Sequence, residues 1–226
     1  MRILPGRLAT RALLLAAGGA VLAAGCAPAR YRLAGEEERA AVSFFAAAPR
    51  PSFPFEASFS GVAELTGRAV PFVAGIKSAA PSDETVGIYD PLGRPVLSLA
   101  NDGVRLRLAR GEAAGELLRG MELPIPADGA GIPAGPLSLA GVLSGAPGYP
   151  VAKGEADRTA DGAWVFADGR QELFSDPSRK RISRAEYRIA GKRIAVTYPG
   201  RDDAGPPCAV AIEGSGVKIV LRRDEE

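Results

Sequence analysis

The chain has 226 residues, 46% hydrophobic and 24% charged, which fits one folded domain with accessories and excludes a disordered polymer. It has no His, so the commonest general base and metal ligand are missing. Its formal net charge is only +2, and the first 25 residues hold Arg2, Arg7 and Arg11 and no acid, so the remaining body is near neutral and offers no electrostatic case for nucleic-acid binding.

Residues 1–25 read as an export signal. A basic start, MRILPGRLATR, precedes ALLLAAGGAVLAAG, an apolar stretch too short and too Gly-rich to span a bilayer. It ends in Leu22-Ala23-Ala24-Gly25-Cys26. That ending resembles a bacterial lipobox, which implies cleavage before Cys26 and attachment of a diacylglycerol thioether and an N-acyl chain to it. Acyl chains contribute roughly 0.8 kcal/mol per buried CH₂, and two or more of them anchor a protein stably. In the enteric sorting rule an Asp after the Cys retains a lipoprotein in the inner membrane, so Ala27 implies the outer membrane. With Cys26 lipidated, Cys208 lacks a disulfide partner and is expected to pack as a small hydrophobe. The chain thus divides into a signal peptide (1–25), a lipidated tether (26–35) and a single domain (36–226).

The 28 glycines and 19 prolines disfavour long helices and favour short strands with turns. EEERAAVSFFAAA (36–48) nevertheless predicts a helix, with an acidic first turn and an apolar face begun by Val42 and Phe45. From residue 56 strands dominate. EASFSGVAEL places Phe59, Gly61, Ala63 and Leu65 on one side, and AVPFVAGIK places Phe72 and Ile76 together. Pro71 suits an edge or a bulge. ETVGIYD and RPVLSLA predict a hairpin around Asp90-Pro91-Leu92-Gly93, a type I turn by residue preference. GVRLRLA predicts a strand with Val104, Leu106 and Leu108 on one face.

Two weak helices follow, one in GEAAGELLRGMELPIP ending near Gly120 and one in IPAGPLSLAGVLSGAP that offers Leu139, Val142 and Leu143 for burial. Three more hairpins close the chain, turning at Asp168-Gly169, at Ala190-Gly191 and around Gly214-Ser215-Gly216. The sum is an α+β, mainly β fold of about 11 strands, a large antiparallel sheet curled around helices and enclosing an apolar space.

No metal cluster, Ser-His-Asp set, phosphate-cradling Gly motif or nucleophile elbow is present. Glu172 and Asp176 share a strand face but read as solvated charges. The expectation is a non-enzyme with no cofactor and no metal.

YDPLGRPVLSLANDGVRLRL resembles the central hairpin of the LolB-like outer-membrane lipoprotein receptors, which carry a Pro-Leu-Gly turn between two strands. ELLRGMELPIP, LSLAGVLSGAP and the paired strands of 181–223 resemble, in order and spacing, the later parts of that family, over about residues 56–223. The chain departs from the family in having fewer aromatic residues, with no Trp in 137–143. The resemblance implies a half-open β-barrel with helices as its lid, monomeric, at the periplasmic face of the outer membrane. It implies a receptor that takes lipoprotein acyl chains from a periplasmic LolA-type carrier and inserts them into the inner leaflet of that membrane. The inserting residue of the family's turn maps to Leu92.

Candidate lining residues of the acyl-chain cavity are those on the apolar strand and helix faces: Phe59, Phe72, Ile76, Ile88, Leu97, Leu99, Leu106, Val142 and Ile219. Strand alternation marks such faces as buried without saying whether they meet protein or ligand. Two other functions stay open: an envelope scaffold of the same fold with a packed core, and a binder of another lipid or hydrophobic ligand.

Overall fold

The computed structural model describes residues 29–65, 67–117, 131–199, 206–214 and 216–224. Cys26, the leader before it and the expected helix end near Gly120 lie outside these residues. The described elements are β1 (Arg30–Arg32), α1 (Gly35–Ala46), β2 (Phe55–Leu65), β3 (Arg68–Ala80), β4 (Asp83–Tyr89), β5 (Pro95–Asn101) and β6 (Arg105–Arg110). They continue with α2 (Ala114–Leu117), β7 (Ile132–Pro133), α3 (Leu139–Leu143), β8 (Glu155–Thr159), β9 (Trp164–Ala167) and β10 (Gln171–Ser175). The last are β11 (Ile182–Ile189), β12 (Lys192–Thr197), β13 (Ala209–Gly214) and β14 (Val217–Arg223).

All 14 strands form one antiparallel sheet, in the order β1-β8-β9-β10-β11-β12-β13-β14-β2-β3-β4-β5-β6-β7. Two meanders, β2 to β7 and β8 to β14, are joined where β14 pairs with β2, from Val217 opposite Leu65 to Arg223 opposite Phe59. The sheet is not closed among the described residues: its end strands are β1 and β7.

Alternation explains most of it. On β2, Ala57, Phe59 and Ala63 are buried while Ser58, Ser60, Val62 and Glu64 are exposed. Gly61 sits in the buried row because a Cβ there would meet the Phe72 ring at 2.5 Å and Leu221 at 2.9 Å. Pro71 lies opposite Val62 of β2, while the pairing of β3 with β4 starts only at Val73. Pro71 therefore occupies a stretch with edge character, where its missing N–H is tolerated.

Three strands were not anticipated from the sequence, so the count is 14 rather than about 11. β1 arises inside the expected tether and pairs with β8, Arg30 opposite Thr159. β7 has two residues, and β8 (EADRT) has no apolar alternation. Of the first middle helix only Ala114–Leu117 lies among the described residues, and α3, with five residues, is shorter than expected. Val104 does not join the face of Leu106: it precedes β6, and its side chain is 65% exposed. Cys208 is exposed rather than packed.

Apart from a small cluster of Leu33, Ala41 and Ala156, the core is one cluster drawing on both meanders and on α1 and the α3 region. Phe45 of α1, Phe59, Phe72 and Ile76 of β2 and β3, Leu137 and Val142 of the α3 region, and Phe166, Leu173, Tyr187 and Val196 of the second meander all belong to it. α1 lays Ala41 and Phe45 inward, and the Phe45 ring lies 6.0 Å from that of Phe166.

Candidate functional site

The turn between β4 and β5 is built around one carboxylate. Gly93 N–H donates to the Asp90 carbonyl (2.9 Å), and Asp90 N–H donates to the Arg94 carbonyl (3.0 Å). Asp90 is 3% exposed, and its Oδ1 accepts from the backbone N–H groups of Leu92 (3.0 Å) and Arg94 (2.8 Å). Its Oδ2 accepts from Arg94 Nε at 2.7 Å. Gly93 takes a φ of 81°, a conformation that Gly adopts at little cost. The result is a fastened turn whose tip presents Leu92 at 81% exposure, the largest value among the exposed large hydrophobics described.

Burial raises the Asp90 carboxyl pKa, but the Arg94 N–H, the Arg94 guanidinium and the Leu92 N–H outweigh it and hold the group below its ordinary value of 3.8. A carboxyl depressed in the folded state stabilises that state above its unfolded pKa, and the contribution is lost as pH falls through the folded value. The turn is therefore expected to stay fastened at neutral pH and to loosen only below the ordinary carboxylate range. An NMR titration of the Leu92 amide should show its midpoint below 3.8, and a midpoint above it overturns this account.

The nine candidate lining residues are placed as follows. Phe59, Phe72, Ile76, Leu106 and Val142 are buried in the core cluster, and Ile88, Leu99 and Ile219 pack against it half-buried. Leu97, opposite Ile88, is half-buried and stands outside that cluster. Three cavities are described, of about 780, 170 and 280 Å³, and none is lined by any of the nine. The largest lies against charged side chains, including Glu64, Arg68, Arg184, Glu186, Arg193 and Lys218. In this conformation the described apolar residues pack on one another.

A second polar centre was missed by the sequence reading. Glu84 on β4 is 2% exposed, and both its oxygens face the start of α3. Oε1 accepts from Ala140 N–H and Ser138 Oγ, each at 2.9 Å, and Oε2 accepts from Leu139 N–H at 2.6 Å and Asn101 Nδ2 at 2.8 Å. Asn101 Nδ2 also donates to the Leu137 carbonyl at 2.6 Å, and Ser138 Oγ caps α3 by accepting from Gly141 N–H at 3.0 Å. The signal was available: Glu84 has the strand parity of Val86 and Ile88, so an acid was heading inward.

The other flank of the α3 region is tied to the second meander. Tyr149 exchanges hydrogen bonds with Gln171, its N–H donating to Oε1 and its carbonyl accepting from Nε2, both at 3.1 Å. Gly148 N–H donates to the Tyr187 hydroxyl (3.2 Å), and the Tyr198 hydroxyl donates to the Val142 carbonyl (2.9 Å). Burial pushes the Tyr187 hydroxyl pKa well up, so it stays protonated.

No protein-family model matches the sequence, and no curated protein matches it. Among solved structures the chain is similar to a LolA superfamily protein from Nitrosomonas europaea, at 15% identity and a TM-score of 0.47, over 83% of this chain and 91% of that one. It is also similar to a Vibrio parahaemolyticus domain described as an outer membrane lipoprotein-sorting protein, at 8% identity and a TM-score of 0.38, over 75% of this chain and 83% of that one.

Proposed function

We propose that this protein is a LolB-like receptor, anchored to the periplasmic face of the outer membrane through a lipidated Cys26. It accepts lipoprotein acyl chains from a LolA-type carrier and releases them into the inner leaflet. The observation that carries this reading is Leu92, a large apolar side chain held out into solvent on a turn that Asp90 fastens on three sides. Entering lipid would gain such a side chain roughly 1.5–3 kcal/mol, and the fastened turn holds it where it can do so. The sheet acts as a half-open barrel, and α1 and the α3 region close its concave side. The nine apolar residues form the surface that an acyl chain meets once that side opens.

The test is transfer. A LolA-type carrier loaded with an acylated lipoprotein is mixed with this protein freed of its anchor, and cargo is followed from one to the other. Movement to this protein is expected; retention on the carrier sinks the reading.

One observation favours a second reading. The described interior is packed, as it would be in an envelope scaffold that binds partners on its outside. In that case no acyl cargo moves, and added fatty acid leaves the melting temperature unchanged.

A further inference from the structure

The proposed receptor needs its interior to open, and the structure shows where the closing segment is fastened. Residues 134–150 carry α3, which has five residues and is too short to be stable alone. The segment places Leu137, Ala140 and Val142 in the core. Its contact with the first meander is not only apolar. A carboxylate, Glu84, is taken out of water and given four donors, two of them backbone N–H groups at the start of α3.

Burying a charge is costly, and an apolar side chain of similar size would hold two elements together at less cost. What the carboxylate supplies is a fastening that is fixed in geometry when closed and can be hydrated when open. Its four donors are neutral groups of Asn101 and of 138–140, so no cationic partner has to be separated from it on opening. Ser138, Gly141, Gly148 and Tyr149 of the same segment line the cleft of about 280 Å³, together with Ser82 and Phe53. A hydrocarbon chain entering there touches the segment that Glu84 holds.

We propose that Glu84 is the latch of the 134–150 segment, and that breaking its bonds to 138–140 is the step that admits an acyl chain to the interior. This inference rests on the receptor reading above. Glu84 is a positioning residue: it holds the segment in place and does not touch the chain that enters.

The experiment uses the full chain in lipid nanodiscs and compares wild type, Glu84→Gln and the milder Ser138→Ala. Hydrogen exchange is read at the Leu139 and Ala140 amides and, for reference, at Leu173 and Val196 in the sheet. The rate of cargo acceptance from a loaded LolA-type carrier is read in parallel. Glu84→Gln should speed exchange at Leu139 and Ala140 by at least about tenfold, since a charge-assisted acceptor of several donors is lost, and leave the sheet amides within about twofold. Cargo acceptance should become faster, with Ser138→Ala intermediate in both readouts.

Equal acceleration at Leu173 and Val196 makes Glu84 a general stabiliser and overturns the latch. Local acceleration with unchanged acceptance also overturns it, while leaving the receptor reading intact. If wild type accepts no cargo, the receptor reading itself falls and the gating role falls with it.

Discussion

Leu92→Glu should leave folding and cargo acceptance unchanged and slow release of cargo into liposomes by about ten- to a hundredfold. The side chain is 81% exposed, so its replacement belongs to the surface substitutions that change stability by about 0.5 kcal/mol or less. The Leu92 contact that matters to the turn is its backbone N–H to Asp90, which the substitution keeps. Moving one leucine from water into hydrocarbon gains roughly 1.5–3 kcal/mol. That is too little to anchor a protein, but at about 1.4 kcal/mol per factor of ten it is enough to set how long the turn dwells in a membrane. Leu92→Gln removes the apolar group without adding charge and should show most of the loss. Release assays with carrier-loaded cargo and synthetic vesicles measure it, and wild-type release from both variants removes the turn from the mechanism.

Such a probe works only if its turn does not yield. A leucine on a loose loop folds back onto its own strands, and the gain on insertion is then reduced by whatever that contact was worth. Asp90 prevents this by committing both carboxylate oxygens to the turn, one of them to the Leu92 N–H, so the tip is held through its backbone and not through the Leu92 side chain. Arg94, bound through its Nε to the same carboxylate, holds a cation beside the tip, where it meets the headgroup level if Leu92 enters lipid.

The hairpins were legible because two local signals agreed. Alternating residues such as Leu106 against Arg105 and Arg107 set the strand faces, and Asp168-Gly169 or Ala190-Gly191 supplied the left-handed conformations that the turns need. β1, β7 and β8 gave neither signal. Arg30–Arg32 is a strand only because β8 offers it a free edge, and β8 itself buries little beyond Ala156 and Thr159. Such strands are specified by their neighbours rather than by their own residues. Val104 misled for the opposite reason: it has the parity of Leu106, but the Asp102 carboxylate accepts its N–H at 3.0 Å and bends the chain before the strand begins. Glu84 shares the strand parity of Val86 and Ile88, and a lone acid on an apolar face is a more informative sign than the apolar residues around it.

Phe59→Ala should cost about 3–5 kcal/mol of stability, the range for a phenylalanine lost from a close-packed core. The ring is 2% exposed and sits in the inward row of β2, with Ala57 opposite Ile76 on one side and Gly61 opposite Phe72 on the other. Urea unfolding measured in the absence of any acyl ligand decides it. If Phe59 instead bordered open space, truncation would forfeit contacts on one side only, and a loss below about 1.5 kcal/mol would overturn the packed interior described above. The distinction bears on mechanism. A chain cannot enter an interior at crystal-like density without displacing something, and the strands are tied to one another by continuous ladders. The 134–150 segment is tied instead by separate polar bonds to Glu84, Asn101, Gln171, Tyr187 and Tyr198. A full-sized penalty at Phe59 therefore points to movement of that segment rather than of the strands, a movement that must expose Leu137, Ala140 and Val142 as well as break these polar bonds.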